Sequence, residues 1–271
     1  MKTILVATDF SPASLNAVNY AADMAVAINA DLLLLHVYQV AVSYSEIAIP
    51  VNETAMMENV EKIITALKEK LIQEKGNKLI VKTDVRMGVF YQELKDVCEE
   101  VNPYAVVMGS QGTTRAERLL FGSHTVYAMQ HLVWPLITVP PGAAFASLKI
   151  IGLACDFNKV TDTTPVNEIK MLANDFNAAL HVLHTGRKEV NDPLIVQGPG
   201  LLAQMLAPLT PVYHFIINES IDEGIMDFAE RNHIDLLIVL PKRHGLLEKL
   251  IHKSHTKQFV LHSHVPVMAF H

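Results

Sequence analysis

The sequence predicts an α/β protein made of two tandem copies of one parallel-sheet domain. Three observations carry that expectation. Short apolar runs alternate with stretches of helical spacing along the whole chain. The apolar runs are continuous rather than alternating, as strands are when helices cover both faces of a parallel sheet. The first half of the chain is then echoed by the second.

The echo is specific. Residues 2–8 form an apolar run ending in Asp9-Phe10-Ser11-Pro12, and residues 148–155 form another ending in Asp156-Phe157-Asn158. Helical spacing follows each: Leu15, Val18, Ala22 and Ala25 in the first, Val166, Ile169, Leu172 and Phe176 in the second. Residues 104–108 match 236–240, and Gly122-Ser123-His124-Thr125 matches Lys253-Ser254-His255-Thr256. Residues 131–136, with Trp134-Pro135, match 262–267, with Val265-Pro266. The offset is 147 residues at the first aspartates and 131 at the closing prolines, so the second copy is about 16 residues shorter in its middle. Pro140-Pro141-Gly142-Ala143-Ala144 marks the junction, which gives domains over 1–143 and 144–271. So short a junction makes the halves pack on one another rather than swing.

In the first half the runs place strands near 2–8, 31–38, 79–85, 104–109 and 135–139, with helices near 13–28, 56–75, 89–101 and 122–131. The second half has strands near 149–155, 179–184, 212–217, 235–240 and 266–270. Residues 186–203, with Pro193, Gly198, Pro199 and Gly200, read as loop with a short helix after it. Residues 39–55 are irregular and suit a lid or a partner-facing surface.

Composition narrows the function. Half of the 271 residues are apolar, enough for two sizeable cores. Lysine plus arginine is 22 and aspartate plus glutamate is 28, a net charge of −6. Such a chain is a poor polyanion binder, so no nucleic-acid partner is expected. Asp9 breaks the opening apolar run too early for a signal peptide, and no uncharged window reaches the ~18–20 residues of a membrane span. Cys98 and Cys155 form neither a disulfide framework nor a zinc knuckle, and they fit a reducing, cytoplasmic setting.

Ligands of an open α/β sheet sit beyond the carboxyl ends of its strands. Three pieces of the first half converge there: Ala7-Thr8-Asp9-Phe10-Ser11, the turn around His36-Val37-Tyr38, and the segment from Met108 to Thr125. The last piece carries Gly109 and Gly112, nine further residues, then Gly122-Ser123 opening a helix. Glycines allow close approach of backbone to a ligand, and free N–H groups at a helix start suit a phosphate. Thr113, Thr114, Ser123 and Thr125 add hydroxyls, and Arg115 and Arg118 add positive charge. Asp84, Arg86 and Gly88 follow the third strand as a strand-to-helix turn at the rim, and Trp134 packs near the last strand.

With these motifs the chain resembles the universal stress protein family, in both halves and over nearly all of its length. The resemblance rests on 4–9, 32–37 and the glycine pattern of 109–125, with the closing run 134–139. It implies the adenine nucleotide α-hydrolase-like (Rossmann-like) fold: an open five-stranded parallel sheet of order 3-2-1-4-5 with helices on both faces. It implies an adenine nucleotide ligand, ATP or a relative, with Mg²⁺ bridging phosphates. By the same resemblance Asp9 reaches the ribose or a metal-bound phosphate region, while Ala7, Thr8 and Val37 frame the adenine. Gly109 and Gly112 lie against ribose and phosphates, and Gly122, Ser123, His124 and Thr125 serve the phosphates. Family members dimerise through their last strands. In a tandem chain the two halves can form that pair internally, and two chains can still form a homodimer.

The second half departs from the pattern. Pro241 stands where the first half has Gly109, and Lys253 stands at the Gly122 position. Proline removes an N–H and stiffens the turn, and a side chain at 253 fills the space of a phosphate. This half reads as a degenerate copy completing an intramolecular pseudo-dimer. Ten of the thirteen histidines lie in it, including His252-x-x-His255 and His262-x-His264, but spacing alone brings no third ligand to either pair.

No catalytic motif is present: no G-x-x-x-x-G-K-[ST], no G-x-G-x-x-G after the first strand and no G-x-S-x-G. Three readings follow. The first is an adenine-nucleotide sensor or regulator of the stress response that signals to an unknown protein partner with little or no catalysis. The second is a nucleotide-independent scaffold. The third is slow ATP hydrolysis by Asp9 and a Mg²⁺-bound water.

Overall fold

The computed structural model describes residues 1–39, 53–76, 78–110, 124–155, 165–185, 200–218, 220–240 and 255–270. The first half runs β1 (Thr3–Ala7), α1 (Pro12–Ala27), β2 (Asp31–Tyr38), α2 (Glu53–Glu74), β3 (Val81–Met87), α3 (Phe90–Val101), β4 (Ala105–Gly109), α4 (124–131) and β5 (Leu136–Val139). The second runs β6 (Ile150–Ala154), α5 (Val166–Phe176), β7 (Ala179–Thr185), α6 (Gly200–Leu206), β8 (Val212–Ile216), α7 (Ile221–Arg231), β9 (Leu236–Val239), α8 (His255–His262) and β10 (Val267–Ala269).

All ten strands join one sheet in the order β3-β2-β1-β4-β5-β10-β9-β6-β7-β8. Each half is a parallel five-stranded sheet of order 3-2-1-4-5, as the resemblance implied. The halves meet at β5 and β10, which pair antiparallel with Ile137 opposite Met268. Thr138 Oγ1 also donates to the Val267 carbonyl at 3.3 Å. Because this seam is antiparallel, the carboxyl ends of the two sets of strands point to opposite edges of the sheet.

One apolar layer lies on each face. The first packs α1, α2, α5 and α6 on the sheet through residues such as Val18, Met24, Leu71, Ile169 and Leu202. The second packs α3, α4, α7 and α8 through Leu94, Val97, Met129, Ile225 and Val260. Both layers run through the two halves. This is why β1, β4 and β9 read as unbroken apolar runs.

The edge strand β3 differs. Its sequence alternates, and Lys82 and Met87 are exposed. Asp84 and Arg86 lie inside β3 rather than in the turn expected after it. Arg86 spans Asp84 and Glu100 of α3 with bidentate contacts of 2.7–3.1 Å. A strand with one open flank tolerates charges that a central strand would not. α2 begins at Glu53, inside the stretch 39–55 expected to be irregular. The remainder of that stretch from 40, and residues 186–199, lie outside the described residues.

Polar contacts bind the halves beside the seam. Tyr104 Oη donates to Asp175 of α5 at 2.9 Å, Lys2 Nζ pairs with the other carboxylate oxygen at 2.5 Å, and the Lys2 ammonium lies 5.0 Å from the Tyr104 ring centre. Burial and then the Asp175 carboxylate push the Tyr104 phenol well above its ordinary value. On α1, Asn16 Nδ2 donates to the junction carbonyls of Pro140 and Ala143 at 3.2 and 3.1 Å. Trp134 does pack near the last strand of its half, donating Nε1–H to Asn102 at 3.0 Å. Among the described residues no helix is long and apolar enough to cross a membrane.

Candidate functional site

The carboxyl ends of β1, β2 and β4 frame a cleft of about 270 Å³. Its floor begins where β1 stops. Thr8 N–H still donates to Leu35 O at 2.9 Å, holding the chain in the sheet for one more residue. Phe10 then takes a left-handed conformation, φ 64°, which costs a bulky L-residue about 1–2 kcal/mol. The turn separates neighbouring side chains. Asp9 lines the cleft, while Phe10 packs into the apolar layer of α1 and stacks on His36 at 4.6 Å between ring centres. His36 Nδ1 and the Thr8 carbonyl, 2.8 Å apart, fix that ring.

Helix α1 starts against this turn. Ser11 is its N-cap, accepting from Ser14 N–H at 3.2 Å, and Pro12 occupies the first turn. Asp9 Oδ1 accepts from Ser11 N–H at 3.0 Å, and the Asp9 N–H donates to Ser14 Oγ at 3.3 Å. Ser14 Oγ also lies 3.0 Å from Thr8 Oγ1. Burial alone would raise the Asp9 carboxyl. The Ser14 and Ser11 hydroxyls and the nearby backbone N–H groups outweigh it and hold the carboxyl below its ordinary value. Asp9 is therefore a fixed anion at neutral pH.

Gly109 ends β4 beside this helix start. A Cβ there would lie 2.9 Å from Ala13 O and 3.1 Å from Ala13 C. The absence of a side chain thus lets β4 and α1 touch, where the glycine pattern in the sequence suggests close approach of a ligand. Thr125, at the start of α4, donates its hydroxyl proton to the Gly109 carbonyl at 3.0 Å. A hydroxyl has one proton, so in this arrangement Thr125 ties α4 to β4 and offers only lone pairs outward. His124 is exposed at the rim and packs on Phe90 of α3, ring centres 5.3 Å apart.

Seven of the residues predicted for the site therefore come together: Ala7, Thr8, Asp9, Val37, Gly109, His124 and Thr125 all line the cleft. Gly112, Gly122 and Ser123 lie outside the described residues. Ser110, just before them, is buried and its hydroxyl has no partner among the described residues. Ser14, Gln39 and Phe90 also line the cleft and were not anticipated. The Ser11-Pro12-x-Ser14 spacing is a helix-start signal that points to the first. Phe90 follows from topology alone, because every strand-to-helix turn of a parallel sheet opens at the same edge.

Part of this framework recurs in the second half. Cys155 N–H donates to Leu183 O at 3.0 Å, and His184 Nδ1 lies 3.2 Å from the Cys155 carbonyl, as at Thr8 and His36. Residues 156–164 and 241–254, with Asp156, Pro241, Lys253 and His252, lie outside the described residues. His262 and His264 are exposed. Among the described residues no three His, Cys, Asp or Glu side chains gather as a metal site. The histidine contact that does form was not foreseen. His181 of β7 and His214 of β8 approach to 3.2 Å, and burial lowers both rings below their ordinary value, with His181 adding to the effect on His214.

Comparisons with solved structures bear on the fold. A universal stress protein from Archaeoglobus fulgidus DSM 4304 superposes with a TM-score of 0.73 at 18% identity, covering 99% of this chain and 95% of that one. A protein of unknown function from Pseudomonas aeruginosa PAO1 gives 0.60 at 12% identity, covering 100% of this chain and 92% of that one. A universal stress protein candidate from Pseudomonas aeruginosa UCBPP-PA14 gives the same TM-score and identity, with 100% and 93% covered. No curated protein sequence matches the chain. The profile of the universal stress protein family matches residues 1–140 and again residues 147–271. With each half matched in turn and the two halves joined in one sheet, the chain belongs to the universal stress protein family as a tandem, intramolecular pseudo-dimer.

Proposed function

We propose that the first half binds an adenine nucleotide as a regulatory ligand and that the second half completes the pseudo-dimer without a nucleotide site of its own. The observation that carries this reading is the cleft at the carboxyl ends of β1, β2 and β4, where seven of the residues named from sequence meet. Family membership supports a nucleotide-binding or regulatory role. The donor set suits the ligand. Val37 and Ala7 offer apolar contact and backbone groups to a base, and Asp9 is a fixed acceptor suited to ribose hydroxyls. The N-terminus of α4 suits phosphate, with Gly122 and Ser123 immediately before it in sequence. A Mg²⁺ ion would enter with the phosphates, neutralising charge that Asp9 would otherwise repel.

The reading is binding without turnover. Among the described residues lining the cleft, Asp9 is the one carboxylate, and one of its oxygens is already engaged by Ser11 N–H. Hydrolysis requires a base free to take a proton from water. The test is calorimetric titration of ATP, ADP and AMP, with and without Mg²⁺, into ligand-free protein. One saturable site per chain is expected, lost in Gly122→Lys, which copies the second half. No heat of binding from any of the three nucleotides would leave the scaffold reading in its place.

A further inference from the structure

We propose that His181 and His214 form a metal site in the second half, binding a zinc-like divalent cation between Nδ1 of His181 and Nε2 of His214. The two nitrogens lie 3.2 Å apart. Zinc–imidazole bonds of about 2.0–2.1 Å at a tetrahedral angle place two ligand nitrogens about 3.3–3.4 Å apart. At a right angle the same bonds give about 2.8–3.0 Å, and in a line about 4.0–4.2 Å. The observed spacing lies between the right-angle and tetrahedral values, so one ion can reach both nitrogens with little movement of the rings.

The rings are held by the sheet rather than by a loop. β7 and β8 are parallel neighbours, with Leu183 opposite His214 and His181 opposite Val212, so both histidines stand on one face of the sheet. The Phe228 ring of α7, 4.7 Å from that of His214, backs this side of the pair. Both histidines are partly exposed and Val212 beside them is 48% exposed, so an ion can arrive from solvent. Among the described residues the first half has no such pair. Strand register places Leu33 and Asp84 at the corresponding positions of the first half.

No third His, Cys, Asp or Glu joins the pair among the described residues. Water or an outside donor would complete the tetrahedron, which makes this an exchangeable site rather than a structural one. Without metal, the pair is explained by one ring donating N–H to the other. Binding requires both lone pairs to face the ion, so His181 carries its proton on Nε2 and His214 on Nδ1. Each neutral ring keeps one proton, and none is lost overall.

The experiment uses the full chain, stripped of metal, titrated with zinc chloride in a calorimeter near neutral pH. His181→Gln and His214→Gln should each weaken the tightest zinc event by at least ~10-fold, the loss expected even for an outer-shell partner. His214→Cys keeps a donor and should retain binding, and His264→Gln, at an exposed histidine, should change nothing. Thermal melts of each variant confirm that it folds. Unchanged zinc binding in both glutamine variants would overturn the proposal. So would loss of binding in a folded His214→Cys, or loss in His264→Gln. ATP titration of the same variants separates this site from the nucleotide cleft, because the two tests share no residue.

Discussion

Gly109→Ala separates two explanations for one glycine. If the residue is small to admit a ligand, the variant should lose nucleotide and keep the stability of the ligand-free protein. The structure predicts that stability falls as well. The added Cβ would meet Ala13 O at 2.9 Å, Ala13 C at 3.1 Å and Ser14 N at 3.4 Å, all backbone atoms at the start of α1. Backbone cannot rotate away, so α1 or β4 must shift. Overpacking of this kind costs about 1–3 kcal/mol. Alanine recovers about 0.4–1 kcal/mol by restricting the unfolded chain, so the middles of the two ranges leave a net loss of about 1.3 kcal/mol. For a protein of this size that is a fall in Tm of about 3–5 °C. The same shift displaces Ala13 and Ser14, which line the cleft, so nucleotide affinity should fall in parallel. Differential scanning calorimetry of ligand-free protein and a nucleotide titration are the paired assays. An unchanged Tm with lost binding would refute the packing argument and restore the ligand explanation.

Three further outcomes follow from the contacts described. Met268→Asp buries an unpaired charge in the seam opposite Ile137, a loss of about 3–5 kcal/mol, and should split or lower the denaturation transition; a single, unshifted transition would contradict the seam. Ser14→Ala removes the hydroxyl beside Asp9 that does most to lower its carboxyl, so carbon-13 titration should show the Asp9 pKa rising towards its ordinary 3.8. Since a depressed carboxyl contributes stability above its ordinary value and loses it as pH falls through the folded value, this variant should have a shallower stability loss below about pH 4; an Asp9 titration identical to wild type would rule the hydroxyl out as the cause. Burial pushes the Cys98 thiol up to about 12, so at pH 8 a thiol reagent should leave Cys98 unmodified until the protein unfolds; labelling of Cys98 in the native protein at a free-thiol rate would contradict its burial.

Much of the fold was legible because it is written in local patterns. Continuous apolar runs mark strands covered on both faces, and the spacing of Val18, Ala22 and Ala25 marks the helix that covers one of them. The duplication was visible because the strand-end aspartates Asp9 and Asp156 and the closing prolines Pro135 and Pro266 punctuate each copy. The edge strand β3 runs two residues later than the 79–85 expected from sequence, because Asp84, Arg86 and Gly88 look like a turn. The charges are tolerated in a strand once Arg86 bridges Asp84 and Glu100 across one open flank.

The residue order alone thus determined the two α/β units, the edge of the first sheet where the cleft opens and half of the residues that line it. Tertiary structure decided how distant segments face one another. It set the antiparallel register of β5 on β10, which turns the carboxyl ends of the two sets of strands to opposite edges of the sheet. It gave Gly109 its role against α1, and it brought together Lys2, Tyr104 and Asp175, and His181 and His214. Local pattern encodes which element forms and which face it buries. Contacts between residues 33, 71 or 129 positions apart, such as His181 with His214, Tyr104 with Asp175 and Thr138 with Val267, arise only when whole strands and helices find their register through packing.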